Sequence, residues 1–247
     1  MILLYTFVSV FVVSLISLIG VLTLTVKQDY LKKILLYFVA FSVGGLIGDT
    51  FLHLLPQSFS SGLSSLAIGI SLFAGVLSFF ILEKILRWRH CHDIGCHDHP
   101  AHLGTMNLIG DAAHNAIDGI LIGASFVVSI PLGIATTLAV IFHEIPHELG
   151  NFGVLLHSGF TIKKALFFNY LSSLVAIVFA ILAVFLGRYS GGFINFMVPF
   201  TAGSFLYIAM SDLIPELHKE EGAKKTIIQT LAIILGIATM ALMLLME

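Results

Sequence analysis

Apolar residues run through this chain in eight long blocks separated by short polar segments. They cover residues 2–26, 34–57, 62–86, 103–129, 131–157, 165–187, 193–217 and 226–246. Each has about the 20 residues that a helix needs to cross ~30 Å of hydrocarbon. The blocks use nearly the whole length. The pattern therefore predicts an all-α polytopic membrane protein of eight transmembrane helices, a single transmembrane domain over 1–247 with no soluble domain. The first block begins at Ile2, lacks a basic segment before it and is too long for a signal core, so it reads as a retained span.

Two blocks share a register. A shift of 159 residues lays Phe41-x-x-Gly44 on Phe200-x-x-Gly203 and His53-Leu-Leu-Pro56 on Asp212-Leu-Ile-Pro215. The second span runs inward to outward and the seventh runs outward to inward. Related helices in opposite orientations mark inverted-repeat transporters, whose sites lie at the repeat interface. The expected plan is 3+2+3: spans one to three and six to eight form related units, with spans four and five between them. Pro146 sits within the fifth span and frees the carbonyl of Phe142, which then needs a partner in a dry setting. Gly119 and Gly123 would let another helix approach the fourth span closely.

Composition sharpens the class. Apolar residues make up 58% of the chain and charged residues only 11%, against about one quarter charged in soluble domains. Eleven of the twelve Lys and Arg residues fall in alternate loops or helix ends: Lys27, Lys32, Lys33, Lys84, Arg87, Arg89, Lys163, Lys164, Lys219, Lys224 and Lys225. Only Arg188 falls on the other side. By the positive-inside rule those loops are cytosolic and both termini are outside, or lumenal in an organelle. The plasma (inner) membrane is the preferred location over an organelle membrane. Net charge is −2, which gives no reason to expect nucleic-acid binding. The two cysteines, Cys91 and Cys96, fall in a cytosolic loop, where a disulfide is not expected.

The chemistry is concentrated in spans four and five. His114 and Asp118 are one turn apart on one face, flanked by Asn115, and His143 and His147 share a face beside Glu144. Glu144 and Glu148 form a neighbouring i, i+4 pair. An ionisable side chain at bilayer depth costs at least ~2.5–3.5 kcal/mol, so these groups must recover that energy. Interhelical hydrogen bonds would account for one such His, but two clusters at matching depth point to a bound cation. Imidazole with carboxylate suits Zn²⁺ and its first-row neighbours, whereas Mg²⁺ and Ca²⁺ prefer oxygen alone.

The segments Gly45-Leu-Ile-Gly-Asp-Thr-Phe-Leu-His-Leu-Leu-Pro56, His114-Asn-Ala-Ile-Asp-Gly119 and His143-Glu-Ile-Pro-His-Glu-Leu-Gly150 resemble the ZIP (Zrt-, Irt-like) metal transporters. Within that family they are similar to the subgroup with HExPHExGD in the fifth span. The resemblance implies a permease, not an enzyme, that moves Zn²⁺ into the cytosol, with Fe²⁺, Mn²⁺ or Cd²⁺ as other cargoes and no resident cofactor. It further implies His114, Asp118, Glu144 and His147 as core metal ligands, Asn115 as a further ligand and His143 as an accessory group. In relatives a second, adjacent metal position can share these residues. The expected partners are divalent metal ions and the lipid bilayer, and a homodimer is compatible with the pattern. One residue departs from the family motif: its final Asp is Asn151 here. Asn can coordinate through its carbonyl oxygen but cannot titrate.

Depth along the spans suggests a route. Asp49 and His53 lie toward the outer end of span two, Asn107 and Asp111 toward the inner end of span four, and Asp212 and Glu216 toward the inner end of span seven. With Glu148 and Asn151 they are expected to line an entrance, a central site and an exit. Glu83, beside Lys84 and Arg87, reads as an ordinary helix end. His90, Cys91, His92, Cys96, His97, His99 and His102 make the loop after span three dense in metal-type ligands, though no closed zinc-finger spacing is present. Metal capture and a merely hydrophilic connector both fit that composition.

Two rival readings remain open from the residues alone. His143-Glu144-Ile145-Pro146-His147 satisfies HExxH, the motif of an intramembrane zinc metalloprotease. Against it stand the Pro inside the motif, the Asp-Gly segment preceding rather than following it, and the polar residues of spans two and seven. A metal-gated sensor that binds without transport is the other.

Overall fold

The structure, a computed structural model, describes residues 1–24, 28–88, 100–219 and 222–246. Among the described residues every regular element is helical. They form eight rods: α1 (2–24), α2 (28–60), α3 (Ser65–Trp88), α4 (Pro100–Val128), α5 (Ile130–His157), α6 (Ile162–Tyr189), α7 (Gly191–His218) and α8 (Ala223–Met243). Six of them, all but α4 and α5, are long and apolar enough to cross a membrane by length and composition. The other two, of 29 and 28 residues, carry the polar clusters that lower their hydropathy. Leu66, Ile70 and Phe73 on α3 and Leu231, Leu235 and Leu242 on α8 are more than half exposed, a surface suited to lipid rather than water. The chain is an all-α polytopic membrane protein.

Short connections set the entry angles. Ser129 caps α5 by accepting the Leu132 N–H at 3.2 Å, and Pro131 follows in the first turn, where its missing donor is not needed. Thr161 caps α6 and Ser190 caps α7 in the same way. Of the loop ligands anticipated from the sequence, His90, Cys91, His92, Cys96, His97 and His99 lie outside the described residues, while His102 falls in the opening turns of α4.

The 159-residue repeat is written into the packing. Ser14 Oγ on α1 donates to the Ser173 carbonyl on α6 at 3.0 Å, and Ser173 Oγ donates back to the Ser14 carbonyl at 3.1 Å. Those residues are themselves 159 apart, as expected for a contact lying on a pseudo-twofold axis. The middle helix of each unit packs on the third helix of the other. On α2, Gly44 meets the Ile233 carbonyl of α8, while Gly236 of α8 meets the Phe41 carbonyl of α2. On α7, Gly203 meets the Leu72 carbonyl of α3, while Gly75 of α3 meets the Phe200 carbonyl of α7. At all four glycines a Cβ would fall inside the van der Waals shell of the facing oxygen. The two units thus interlock through glycine, because only an absent side chain allows backbones this close.

α4 lies along α6 by the same device. Gly119 and Gly123 abut the carbonyls of Ala176 and Ala180, as the sequence spacing anticipates. α5 packs beside α4, α2 and α1. Its Pro146 leaves the Phe142 carbonyl without a helical donor, and the partner is Ser42 of α2, whose Oγ lies 2.5 Å away and shares its proton with Phe38 O at 2.7 Å. α2 and α7 each loosen into a π-helical stretch, Thr50–Leu54 and Ile208–Leu213, just before Pro56 and Pro215. A proline has no N–H to donate and crowds the carbonyl four residues earlier, so each ladder widens there.

Candidate metal centre

One turn of α4 and one turn of α5 face each other at the core of the bundle. Asp118, His143 and Glu144 are each no more than 1% exposed, and His114 is buried. His114 Nε2 lies 3.4 Å from His143 Nε2, 3.2 Å from Glu144 Oε1 and 3.7 Å from Asp118 Oδ2. His143 Nε2 lies 3.2 Å from Asp118 Oδ2 and 3.6 Å from Glu144 Oε1. Zinc bonds of ~2.0–2.2 Å in a tetrahedron place ligand atoms about 3.3–3.6 Å apart. Five of the six separations among these four groups, 3.2 to 3.7 Å, bracket that range. Among the described residues, this is the one group of three or more His, Cys, Asp or Glu side chains whose ligand atoms converge.

Protonation geometry points the same way. His143 Nδ1 lies 3.1 Å from the Ala139 carbonyl, which can only accept, so Nδ1 carries the hydrogen. In the neutral ring, Nε2 then turns a lone pair toward Asp118 Oδ2. Two electron pairs at that distance need a cation between them, either a proton or a metal ion. The backbone carbonyl holding the outer ring nitrogen is the usual orienting partner of a metal-ligating histidine. Asp118 Oδ1 is buried without a hydrogen-bond partner among the described residues. Unpaired carboxylate oxygen is expensive in an apolar core, and a metal ion would relieve it.

The structure distributes the sequence-derived candidates unevenly. His143, expected as an accessory group, joins His114, Asp118 and Glu144 in the converging set. His147, expected in the core, stands at its rim: its side chain is 34% exposed, its ring stacks on His114 at 4.3 Å, and Nδ1 is 3.7 Å from Glu144 Oε1. Asn115 turns away, donating to Asp111 O at 3.0 Å and Asp111 Oδ1 at 3.2 Å. Asp111 also accepts from Asn151 Nδ2 at 2.6 Å and from Ser172 Oγ. Glu148 is buried on the far side of α5, where Asn169 Nδ2 donates to Oε2 at 2.5 Å and to the Ser17 carbonyl at 3.1 Å. Asn169 and Ser172 of α6 were not among the candidates. Their signal was available in the sequence as isolated polar residues within an apolar span.

A cavity of about 180 Å³ starts at the cluster and continues toward the end of α7. Its lining includes His114, His143, Pro146, His147, Asp212 and Glu216. Glu216 is paired with Lys219 at that end. Glu83, read as a helix end, accepts a hydrogen bond from Tyr207 and so ties α3 to α7. Asn107 keeps its place near the start of α4, outside the lining of this cavity. At the other end of the molecule, a pocket of about 510 Å³ reaches His53, with Gln57, Ser129 and Pro131. No residue of the metal-type cluster lines it. His53 is buried with Nε2 3.0 Å from the Met240 carbonyl, and Asp49 Oδ2 accepts from Thr136 at 3.3 Å.

Comparison with known proteins agrees with these features. The family model described as "ZIP Zinc transporter" matches residues 2–105 and 91–244. "Zinc transporter YKE4" of Saccharomyces cerevisiae is 34% identical over 88% of this chain and 73% of its own length. "Zinc transporter ZIP13 homolog" of Drosophila melanogaster is 32% identical over 86% of this chain and 78% of its own length. "Zinc transporter ZIP10" of Homo sapiens is 35% identical over 65% of this chain, but that match spans only 22% of the human protein.

Proposed function

We propose, from the premise that this chain belongs to the ZIP zinc transporter family, that it carries Zn²⁺ into the cytosol through the α4–α5 centre. It is a membrane transporter and not an enzyme, so the HExxH segment serves binding rather than hydrolysis. The observation that carries the reading is the convergence of four buried donor groups, with His114 Nε2, Asp118 Oδ2, His143 Nε2 and Glu144 Oε1 at five separations of 3.2 to 3.7 Å, close to those around a tetrahedral zinc ion. Two neutral imidazoles and two carboxylates balance one divalent charge, which makes a dry, charge-neutral resting place for the ion.

Release follows from the rim. His147 borders both Glu144 and the cavity that leads to Asp212 and Glu216. Exchange of His143 for His147 would move the ion one turn along α5 without stripping it of nitrogen ligands. Asp212 and Glu216 would then draw it outward along α7. The Lys-rich loops adjoin that end of α7, so the cavity opens to the cytosol by the positive-inside rule, and both termini lie outside. Asp49 and His53, which contact Thr136 and the Met240 carbonyl, would form the entrance from the other face. The plasma membrane is the preferred location, and Fe²⁺, Mn²⁺ and Cd²⁺ are the secondary cargoes. Binding needs neutral imidazole and ionised carboxylate, so acidification weakens it.

Purified protein in liposomes loaded with a zinc-sensitive dye tests the reading. Zinc-dependent influx that vanishes in Asp118→Ala and His143→Ala is the expected result. Metal binding without flux would show a sensor instead, and equal flux in the variants would dismiss the centre.

A further inference from the structure

A cleft of about 530 Å³ opens between the last turns of α7 and the first turns of α8, apart from the metal centre. Ile214, Leu217 and Ile233 make its apolar wall, and its polar lining is rich in acceptors. Gln229 is only 8% exposed, and its amide nitrogen donates to the Leu217 carbonyl at 3.3 Å. A carbonyl can only accept, so Oε1 is the atom left to the cleft, and no donor among the described residues meets it. Thr226 and Thr230 place their hydroxyl hydrogens on the Gly222 and Thr226 carbonyls, at 3.3 and 2.8 Å, so their oxygens also offer only lone pairs. An occupant must therefore bring hydrogens of its own. Positive charge gathers beside the cleft. α8 starts at Gly222 with no side-chain cap and no acidic residue in its first turn, where Lys224 and Lys225 stand instead. The first N–H groups of a helix have no acceptor within it, and lysines there add to the positive end of the dipole rather than offset it. His218 lines the cleft and is exposed.

We propose that this cleft binds the headgroup of a phospholipid with a primary ammonium, of the phosphatidylethanolamine type, from the leaflet on the Lys-rich side. Clefts between transmembrane helices with basic residues at the boundary are where headgroups are held. The phosphate lies at the start of α8 beside Lys224 and His218, and the ammonium gives N–H groups to Gln229 Oε1 and the two threonine oxygens. Charge favours a zwitterion over a plain anion, because Glu216, Glu220 and Glu221 balance Lys219, Lys224 and Lys225 over residues 216–225. A choline headgroup has the same charge but no N–H, so it leaves the acceptors unserved. Ile227 and Leu231 of α8, each 60% exposed, offer the acyl chains a surface. The cleft backs onto the cavity described above: Asp212, Leu213 and Glu216 face that cavity from the same turns of α7 whose Ile214, Leu217 and His218 face the cleft. Under the transport reading, a bound lipid braces the segment through which zinc leaves; the binding itself does not depend on that reading.

Native mass spectrometry of the full-length, detergent-purified protein tests the site. The protein is offered an equimolar mixture of phosphatidylethanolamine, phosphatidylcholine and phosphatidylglycerol with the same acyl chains. The ethanolamine lipid is expected to be retained severalfold over the other two. Gln229→Leu and Thr230→Val, which remove acceptors from the cleft, should each bring its retention down toward that of the choline lipid. Equal retention of the ethanolamine and choline lipids by the wild type would overturn the proposal. Preferred retention of the glycerol lipid would do the same, since it would show a site for an anion. An undiminished ethanolamine preference in both variants would place the lipid elsewhere on the protein and overturn it as well. If Gln229→Leu does not fold, Thr230→Val, at an exposed position, decides alone.

Discussion

The two π-helical stretches occupy equivalent places in the two repeats, yet their surroundings differ. In α2 the stretch Thr50–Leu54 presents His53, which is buried and held by the Met240 carbonyl. In α7 the stretch Ile208–Leu213 presents Asp212, which lines the cavity reaching His114 and His143. Backbone geometry follows the repeat, whereas packing does not. A cavity joins Asp212 to the cluster, and the pocket at His53 does not include it; the two ends of the repeat differ there. Loosened helical turns beside proline are natural places for such a structure to flex.

The comparison can be broken most forcefully at the buried cluster itself. His143→Ala should lower zinc affinity by more than the about 10–100-fold that loss of an outer-shell partner costs, measured by isothermal titration in detergent. His147→Ala should keep most of the affinity but slow release into the cavity. If His147→Ala proves the more damaging to affinity, the ion rests a turn closer to the α7 end than the geometry places it. Next in size, Asp212→Asn with Glu216→Gln should reduce the turnover of zinc influx severalfold and leave binding unchanged. A drop in affinity instead would move these groups into the binding site.

Changes at the His53 end should be smaller and of a different kind. Asp49→Ala/His53→Ala should raise the KM for zinc severalfold with little change in maximal rate, because it alters capture rather than release. Normal uptake kinetics in that double variant would remove the entrance from the pathway. The symmetry itself is open to a stability measurement. Gly44→Val and Gly203→Val push a side chain into equivalent helix crossings, and each should cost about 1–3 kcal/mol in detergent unfolding. Clearly unequal losses would show that the repeats are not energetically equivalent. Ser42→Ala removes the donor that serves the Phe142 carbonyl and should cost about 1–3 kcal/mol as well.

Much of the molecule was legible in the order of residues. Apolar block length gives the eight rods, because hydrocarbon thickness sets how many residues a helix needs. The need of the Phe142 carbonyl for a partner followed from Pro146 alone, but its partner, Ser42, is 100 residues distant, in no pattern that periodicity could reveal. Asn151 stood out in the motif, while its bond to Asp111 did not. Helical spacing says which side chains share a face of one helix. It does not say how far each helix is turned toward its neighbour.

That rotation is what the tertiary structure decided. His143 and His147 are equivalent by spacing, one turn apart on the same face of α5, and the residues alone could not rank them by position. The close crossings of α4 on α6 and of α2 on α8 set the depth and turn of the surrounding helices, and in that frame His143 meets Asp118 while His147 reaches the cavity. The sequence by itself determined the spans, the uneven placement of basic residues and the residue types of the candidate ligands, because each depends only on local composition. Which four donor atoms converge, and which end of the molecule they communicate with, depends on contacts between distant segments, and only the packed bundle supplies them.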